Sequence, residues 1–556
     1  MSILKTGQVA FIDPKDVDAS ASLAPQTDDQ KRLKALIARR HPEYEENVKH
    51  WDFLEDTYEG GREWFKENVF RYIKEGDKEF ADRVERAYRF NHSREVVDLI
   101  NKYLFKQNIA RNEVDAPESV KEFWKSATRG GLTIKDLVRQ ISKKTSIYGR
   151  IGIVVDTTAP TGKNISKAEA KAQGVKTYAY VVGPEQLLDY SYDDVGALNW
   201  VLIREVTRDD TDPMSSSGTQ SYRYRLWGKT DWKLYEERTE GRRKVVVLVD
   251  EGAHGLGAVP VVLADHMITD DEYESPAMID DIAYLDRAVA NYLSNLDAII
   301  QDQTFSQLAM PAQNVIPGED AYTKLLEMGT KRVFLYDGEG GAQPFYLSPD
   351  VKQAELIVTA INKIIGEIYH TVGLAGERTK SDNAVGIDNS SGVAKAYDFE
   401  RVNALLSAKA DSLELIENKI AALVALWNED SKQIESPLVS YPDNFDTRGL
   451  YDEFDIAARL MLIDAPDSVR QEQMRMVLDK LFPQLSIDLR AKMEADLLDW
   501  PVDPIEFATS LAEAGNGDIS SKTTVAGNGN TPTSAGGAGK KPLKDKKQGQ
   551  VTKETK

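Results

Sequence analysis

Six histidines, at positions 41, 50, 92, 254, 266 and 370, are the whole supply of imidazole, and none forms an HExxH or other pair at metal-ligand spacing. Each is read as structural. The absence of cysteine excludes disulfides, thiolate metal sites, iron–sulfur clusters and cysteine nucleophiles, and leaves the redox compartment unmarked. Oxygen ligands are concentrated in Thr269-Asp-Asp-Glu-Tyr-Glu274, where Asp270, Asp271 and Glu272 could gather a divalent cation for hydrolysis. The stretch lacks the spacing of a calcium loop and borders a helix start, where carboxylates complement the helix dipole. Asp193-Asp194 and Asp209-Asp210 have the composition of turns. No G-x-x-x-x-G-K-[ST] loop, strand-following G-x-G-x-x-G or G-x-S-x-G elbow is present, and Gly536-Gly-Ala-Gly-Lys-Lys541 has the wrong spacing. The expectation is a non-enzymatic chain without metal or cofactor.

Size and charge narrow the remaining classes. The chain has 556 residues, 41% of them hydrophobic, enough for several cores. Its formal charge is −20, from 90 acidic and 70 basic side chains, which argues against a broad cationic face that coats nucleic acid. Residues 540–556 hold seven lysines against Asp545 and Glu554, so the other residues carry −25. No apolar run approaches the roughly 18 residues of a membrane span, and the start lacks a signal peptide's apolar core, so the chain reads as soluble and unexported.

The elements follow from hydrophobic period. Thr27 and Gln30 form a T-x-x-Q capping box ahead of Leu33, Leu36 and Ile37. Between His50 and Phe105, aromatic residues lie among charges of both signs, which favours packed helices over base-stacking, with one break at Gly60-Gly61. A helix through Leu132 to Ile141 leads to a β-branched run ending at Val155. The period is then two, predicting antiparallel strands near 178–182, 200–206, 222–227, 232–235, 245–249 and 259–263. Ser275-Pro276 supplies a cap and first-turn proline for a helix of about 30 residues through Met278, Ile282, Leu285, Val289, Leu293, Leu296 and Ile300. A β-containing segment with Arg332–Tyr336 precedes a second helix opened by Ser348-Pro349. Residues 373–392 are Gly-rich and polar, too long for a routine connection. Beyond them Val402, Leu406, Leu413, Ile416, Ile420, Leu423 and Trp427 hold one face of a helix over 30 residues long, suited to the spine of an assembly. Residues 434–510 read as helical, and 511–556 as a disordered tail in which burial is too small to offset ordering entropy.

The order of these parts, with His50-Trp51, Asp56, Tyr58-Glu-Gly-Gly61, Arg83-x-x-Arg86-Ala87, Asn91, His254-Gly-Leu-Gly-Ala-Val-Pro260, Ser390-Ser-Gly-Val-Ala394, Tyr397 and Glu400, resembles a portal protein of tailed bacteriophages across residues 31–510. The resemblance implies an α+β portal fold. Residues 1–30 would be an arm, 31–275 a helical and antiparallel-β wing, 276–306 and 348–372 stem helices, and 307–347 a small α/β clip. Residues 373–392 would be the tunnel loop, 393–433 the long kinked wing helix and 434–510 the crown. It further implies a ring of about twelve copies at one capsid vertex, present in the host cytoplasm during assembly. Double-stranded DNA would pass through it, with no membrane involved. The large terminase subunit, a head–tail adaptor, and major capsid and scaffold proteins would be its partners. Arg378 and Lys380 would touch DNA, while Leu406, Leu413, Ile416 and Ile420 would serve the oligomer or the core. An oligomeric helical scaffold without a channel, and a hydrolase built on Asp270, Asp271 and Glu272, are the competing readings.

Overall fold

Among the described residues up to 104, amphipathic periodicity produces five helices: α1 (Asp28–Ile37), α2 (Tyr44–Glu59), α3 (Arg62–Asn68), α4 (Asp77–Arg86) and α5 (His92–Leu104). The computed structural model describes residues 28–73, 75–159, 169, 173–210, 212–240, 243–304, 307–311, 333–336, 343–347, 351–374, 392–430, 434, 436–443, 445, 466–481 and 487–498. Gly60 and Gly61 separate α2 from α3 at φ values of 67° and 102°, in the region that glycine enters without a Cβ clash. Asn91 caps α5 by accepting from the Arg94 N–H. Gln30, expected to serve a capping box, carries its side-chain amide to β8 (Arg243–Ala253), donating to the Val246 carbonyl and accepting from the Val246 N–H.

A short strand, β1 (Ala110–Arg111), and α6 (Glu118–Lys125) precede α7 (Ile134–Tyr148). The single antiparallel region expected from the sequence is two sheets. In the first, β2 (Arg150–Thr157) lies between β3 (Thr177–Val182) and β9 (Val261–Asp265). The second is a meander of β4 (Leu187–Tyr192), β5 (Leu198–Arg208), β6 (Gln220–Gly228), β7 (Asp231–Glu240) and β8. All pairings in both are antiparallel. Both faces of the meander are covered: Leu187, Val201, Ile203 and Trp227 pack with Val154 and Val182, whereas Leu188, Leu202, Tyr224 and Val246 pack with Ile37 and Tyr44. Burial on two faces removes alternation, which is why Leu187–Tyr192 gave no strand signal.

Next come α8 (Asp280–Thr304), a mixed three-stranded sheet and α9 (Val351–Thr371). Within that sheet β10 (Gln307–Pro311) is parallel to β11 (Val333–Tyr336) and antiparallel to β12 (Phe345–Leu347). Helix α8 begins four residues later than Pro276. Gly149 explains this, because its φ of 81° lets the Ser275 carbonyl approach so closely that a Cβ would stand 1.8 Å from it. Ser275 therefore belongs to a packed junction rather than a cap, and Asp280 accepts from the Ala277 N–H at 2.7 Å.

The longest element among the described residues is α10 (Gly392–Trp427), 36 residues. Val402, Leu406, Leu413, Ile416 and Ile420 join its buried face to α5, α7, β2, α8 and α9 in the main core. After α10 the expected helix is absent at its start: β13 (Val439–Ser440) pairs with β1, and Asn418 of α10 accepts from the Leu438 and Val439 N–H groups. A polar side chain thus holds this segment extended. The chain divides into two units, residues 1–449 and 450–556. In the second, α11 (Asp467–Leu481) and α12 (Ile487–Leu498) pack together, with Gln471 donating to the Leu498 carbonyl. Among the described residues no helix is long and apolar enough to cross a membrane.

Candidate functional site

Helices α8 and α9 form an antiparallel pair. Asp286, near the start of α8, meets Ser93, while Tyr369, at the end of α9, meets His92 at 3.1 Å. At the other end, the pairing of Gln307 with Leu347 brings the end of α8 beside the start of α9. Burial follows the same axis. Ile282, Val289, Leu293 and Ser294 are buried in α8, as are Ile361, Ile365 and Ile368 in α9. Towards the small sheet Ile300 is 49% exposed, Leu356 71% and Val358 42%.

The buried half of α8 is held by a polar seam from α2 to α5. His50 bridges Asp280 at 2.9 Å and the Tyr284 hydroxyl at 3.0 Å. Asp286, with 0% exposure, accepts from the Ser93 N–H at 3.1 Å and hydroxyl at 2.9 Å, and lies 3.3 Å from Arg89. The Arg89 guanidinium also covers Trp64 at 3.8 Å; burial lowers its pKa to about 10, against the opposing pull of Asp286. Asn291 accepts from the Phe70 N–H and donates to the Asn68 carbonyl. Arg83 donates to Ser294 at 2.9 Å and to both oxygens of Glu75, whose carboxyl it holds below the ordinary range. Residues 280, 284, 291 and 294 recur at helical spacing on one face of α8, while Asp286 enters the seam from the apolar side, in the phase of Ile282 and Val289. The chemistry of the seam is anchoring: oriented, largely buried hydrogen bonds that fix one helix in rotation and height.

Three of the residues that carry the family resemblance meet α8 here, namely His50, Arg83 and Arg86, the last facing Asp297 at 3.4 Å. Asn91 ties α5 to the Thr57 and Tyr58 carbonyls. Arg89 and Asp286 were not singled out from sequence, although Asp286 stands one turn after Ile282 and three residues before Val289, a charged residue in the apolar phase. Lys409 and Glu417 interrupt the phase of α10 in the same way and are buried too. Arg111 reaches Glu417 at 2.7 Å, and the Tyr441 hydroxyl donates to the same carboxylate at 2.8 Å.

Leu406, Leu413, Ile416 and Ile420 are at most 4% exposed and pack within the chain's own core. Arg378 and Lys380 lie outside the described residues, as do Ser390-Ser391 and the tail at 511–556. The acidic stretch at 269–274 is a turn in which Asp271 accepts from the Tyr273 and Glu274 N–H groups, lowering its pKa. Arg150 closes it by donating to the Asp271 and Glu272 carbonyls while paired with Asp265. Among the described residues no three His, Cys, Asp or Glu side chains are placed to hold a metal ion. Asp193 accepts from the Val195 and Ala197 N–H groups and pairs with Lys229, which together lower its pKa to about 2.

No protein-family model and no curated protein matches the chain. Among solved structures it is similar to a chain of the virion of a native gene transfer agent particle, with 11% identity, a TM-score of 0.35, and coverage of 72% of this chain and 96% of that one. A chain from the neck of an empty gene transfer agent particle computed with C6 symmetry gives 12%, 0.36, 72% and 96% on the same measures. One from the neck of a native particle computed with C12 symmetry gives 12%, 0.36, 69% and 89%.

Proposed function

We propose that this chain is the subunit of a portal ring, a non-enzymatic channel for double-stranded DNA at one vertex of a phage-like capsid. The observation that carries this reading is the α8–α9 pair: two antiparallel helices anchored in the body at one end, joined by a small sheet at the other, and exposing Ile300, Leu356 and Val358 between. Apolar side chains at helix positions outside a chain's own core gain by burial against another copy. A heterologous contact repeated around an axis closes into a ring. The small sheet is then the surface offered to the large terminase subunit and later to the head–tail adaptor.

Charge supports the passage of DNA. With −25 on residues 1–539, a channel wall repels phosphate and leaves the duplex free to slide, while brief salt-sensitive contacts come from loop cations such as Arg378 and Lys380. Negative-stain electron microscopy of the purified protein, with particle mass and a check of co-purification with capsids, tests the proposal. Rings of about twelve copies with a bore of at least about 20 Å, enough for duplex DNA, are expected. Rings with a narrower bore would leave a scaffold; monomers under every salt and concentration tried, and none in particles, would overturn the reading.

A further inference from the structure

The Lys409 side chain is wholly buried at the middle of α10. Its Nζ lies 3.2 Å from the Thr145 hydroxyl of α7 and 2.9 Å from His266 Nδ1, just beyond β9. Thr145 already gives its own proton to the Ile141 and Ser142 carbonyls, so it accepts from the amine. Two acceptors match the two N–H bonds of a neutral amine. An ammonium would bring a third N–H and a full charge, and among the described residues no carboxylate lies within ion-pair distance of Lys409.

The groups around this amine are accounted for on each side. From α7, Thr145 faces it, and the neighbouring Ser142 and Ser146 are buried hydroxyls. Just beyond β9 comes His266, whose backbone N–H donates to the Gly149 carbonyl and whose burial holds its pKa well below the ordinary value. Asp265 is turned to Arg150, and its carbonyl accepts from Ser412 on the next turn of α10. The same junction seats the foot of α8, because the Met278 N–H donates to the Ser146 carbonyl. Burial alone lowers the pKa of Lys409 to about 7.

We propose that Lys409 is held as an uncharged amine and forms a pH-dependent latch joining α10 to α7 and to the residue that follows β9. When the junction opens, the amine meets water and regains its ordinary basicity. Between the two pKa values the open form takes up a proton that the closed form lacks, so opening is favoured as pH falls from the alkaline side and levels off below neutrality. The latch is tight at pH 9 and loose at pH 7, and the part it releases is the junction of α10 with α7 and His266. This inference is independent of the portal reading.

Hydrogen exchange of the full chain at pH 7, 8 and 9, corrected for intrinsic amide rates, tests it. In the wild type, opening of residues 142–149, 264–266 and 405–413 should fall by up to tenfold per pH unit, whereas residues 231–240 and 243–253 of the meander stay level. Lys409→Met should abolish the slope at the junction. A flat wild-type profile at the junction, or an equal slope in the meander, overturns the proposal even if the Met variant fails to fold. A folded Met variant that retains the wild-type slope overturns it as well.

Discussion

Asp286 accepts hydrogen bonds from both the backbone N–H and the hydroxyl of Ser93, a residue 193 positions earlier in the chain, with no exposure to solvent. This contact joins the start of α5 to the first turns of α8. It also places the carboxylate beside Arg89, so a buried cation and anion share one site with their hydrogen bonds directed. The pair matters less for net stability than for position, because desolvation consumes most of the Coulomb gain inside a protein.

Removal of one partner is another matter. Asp286→Ala leaves Arg89 buried without its carboxylate and should cost about 3–5 kcal/mol in denaturant unfolding. Asp286→Asn, which keeps an acceptor for Ser93, should cost less. Equal and small losses in both would show that the seam does not anchor α8.

Gln30 acts on an edge strand. Its two hydrogen bonds to Val246 occupy the open side of β8, and Gln30→Ala should cost about 1–3 kcal/mol at the usual net worth of such bonds. The amide of Val246 is the reporter: its hydrogen exchange should accelerate in the variant while that of Leu202, inside the meander, is unchanged.

His41 contributes an acid-sensitive term. It is 4% exposed among Tyr44, Trp51, Tyr190 and Tyr273, and burial lowers its pKa to about 4. Because the folded pKa lies below the unfolded value, the unfolded chain binds more protons between them. Stability is therefore lost as pH falls from about 6.5 to about 4, by up to about 3 kcal/mol. His41→Phe should flatten that limb of a plot of unfolding free energy against pH; an unchanged limb would assign it to other groups.

Two leucines separate the core from the surface proposed for assembly. Leu413→Asp puts a charge into a position 1% exposed and should abolish folding of the 1–449 unit. Leu356→Asp, at 71% exposure, should leave unfolding free energy within about 0.5 kcal/mol and weaken self-association measured by light scattering. Deletion of residues 377–388 should spare rings but impair DNA packaging or retention.

Local pattern determined much of the architecture. The helix that carries Val402 to Trp427 was legible because seven apolar residues keep one phase, and the strands at 200–206 and 222–227 because their period is two. The glycine pair at 60–61 and the acidic turns at 193 and 209 were legible because turn chemistry is local. The start of α8 was not, since a Ser-Pro cap signal yields when a distant glycine, Gly149, draws the Ser275 carbonyl into a junction. Leu187–Tyr192 was hidden by burial on both faces, and 434–443 was misread because Asn418 and β1, far away in sequence, hold it extended. The polar residues that matter most, Arg89, Asp286, Lys409 and Glu417, look in sequence like interruptions of apolar faces. One partner of each, Asp286 for Arg89, Ser93 for Asp286, Thr145 for Lys409 and Arg111 for Glu417, lies 193 to 306 positions away, and only the tertiary structure, by removing water from around them, turned interruptions into anchors.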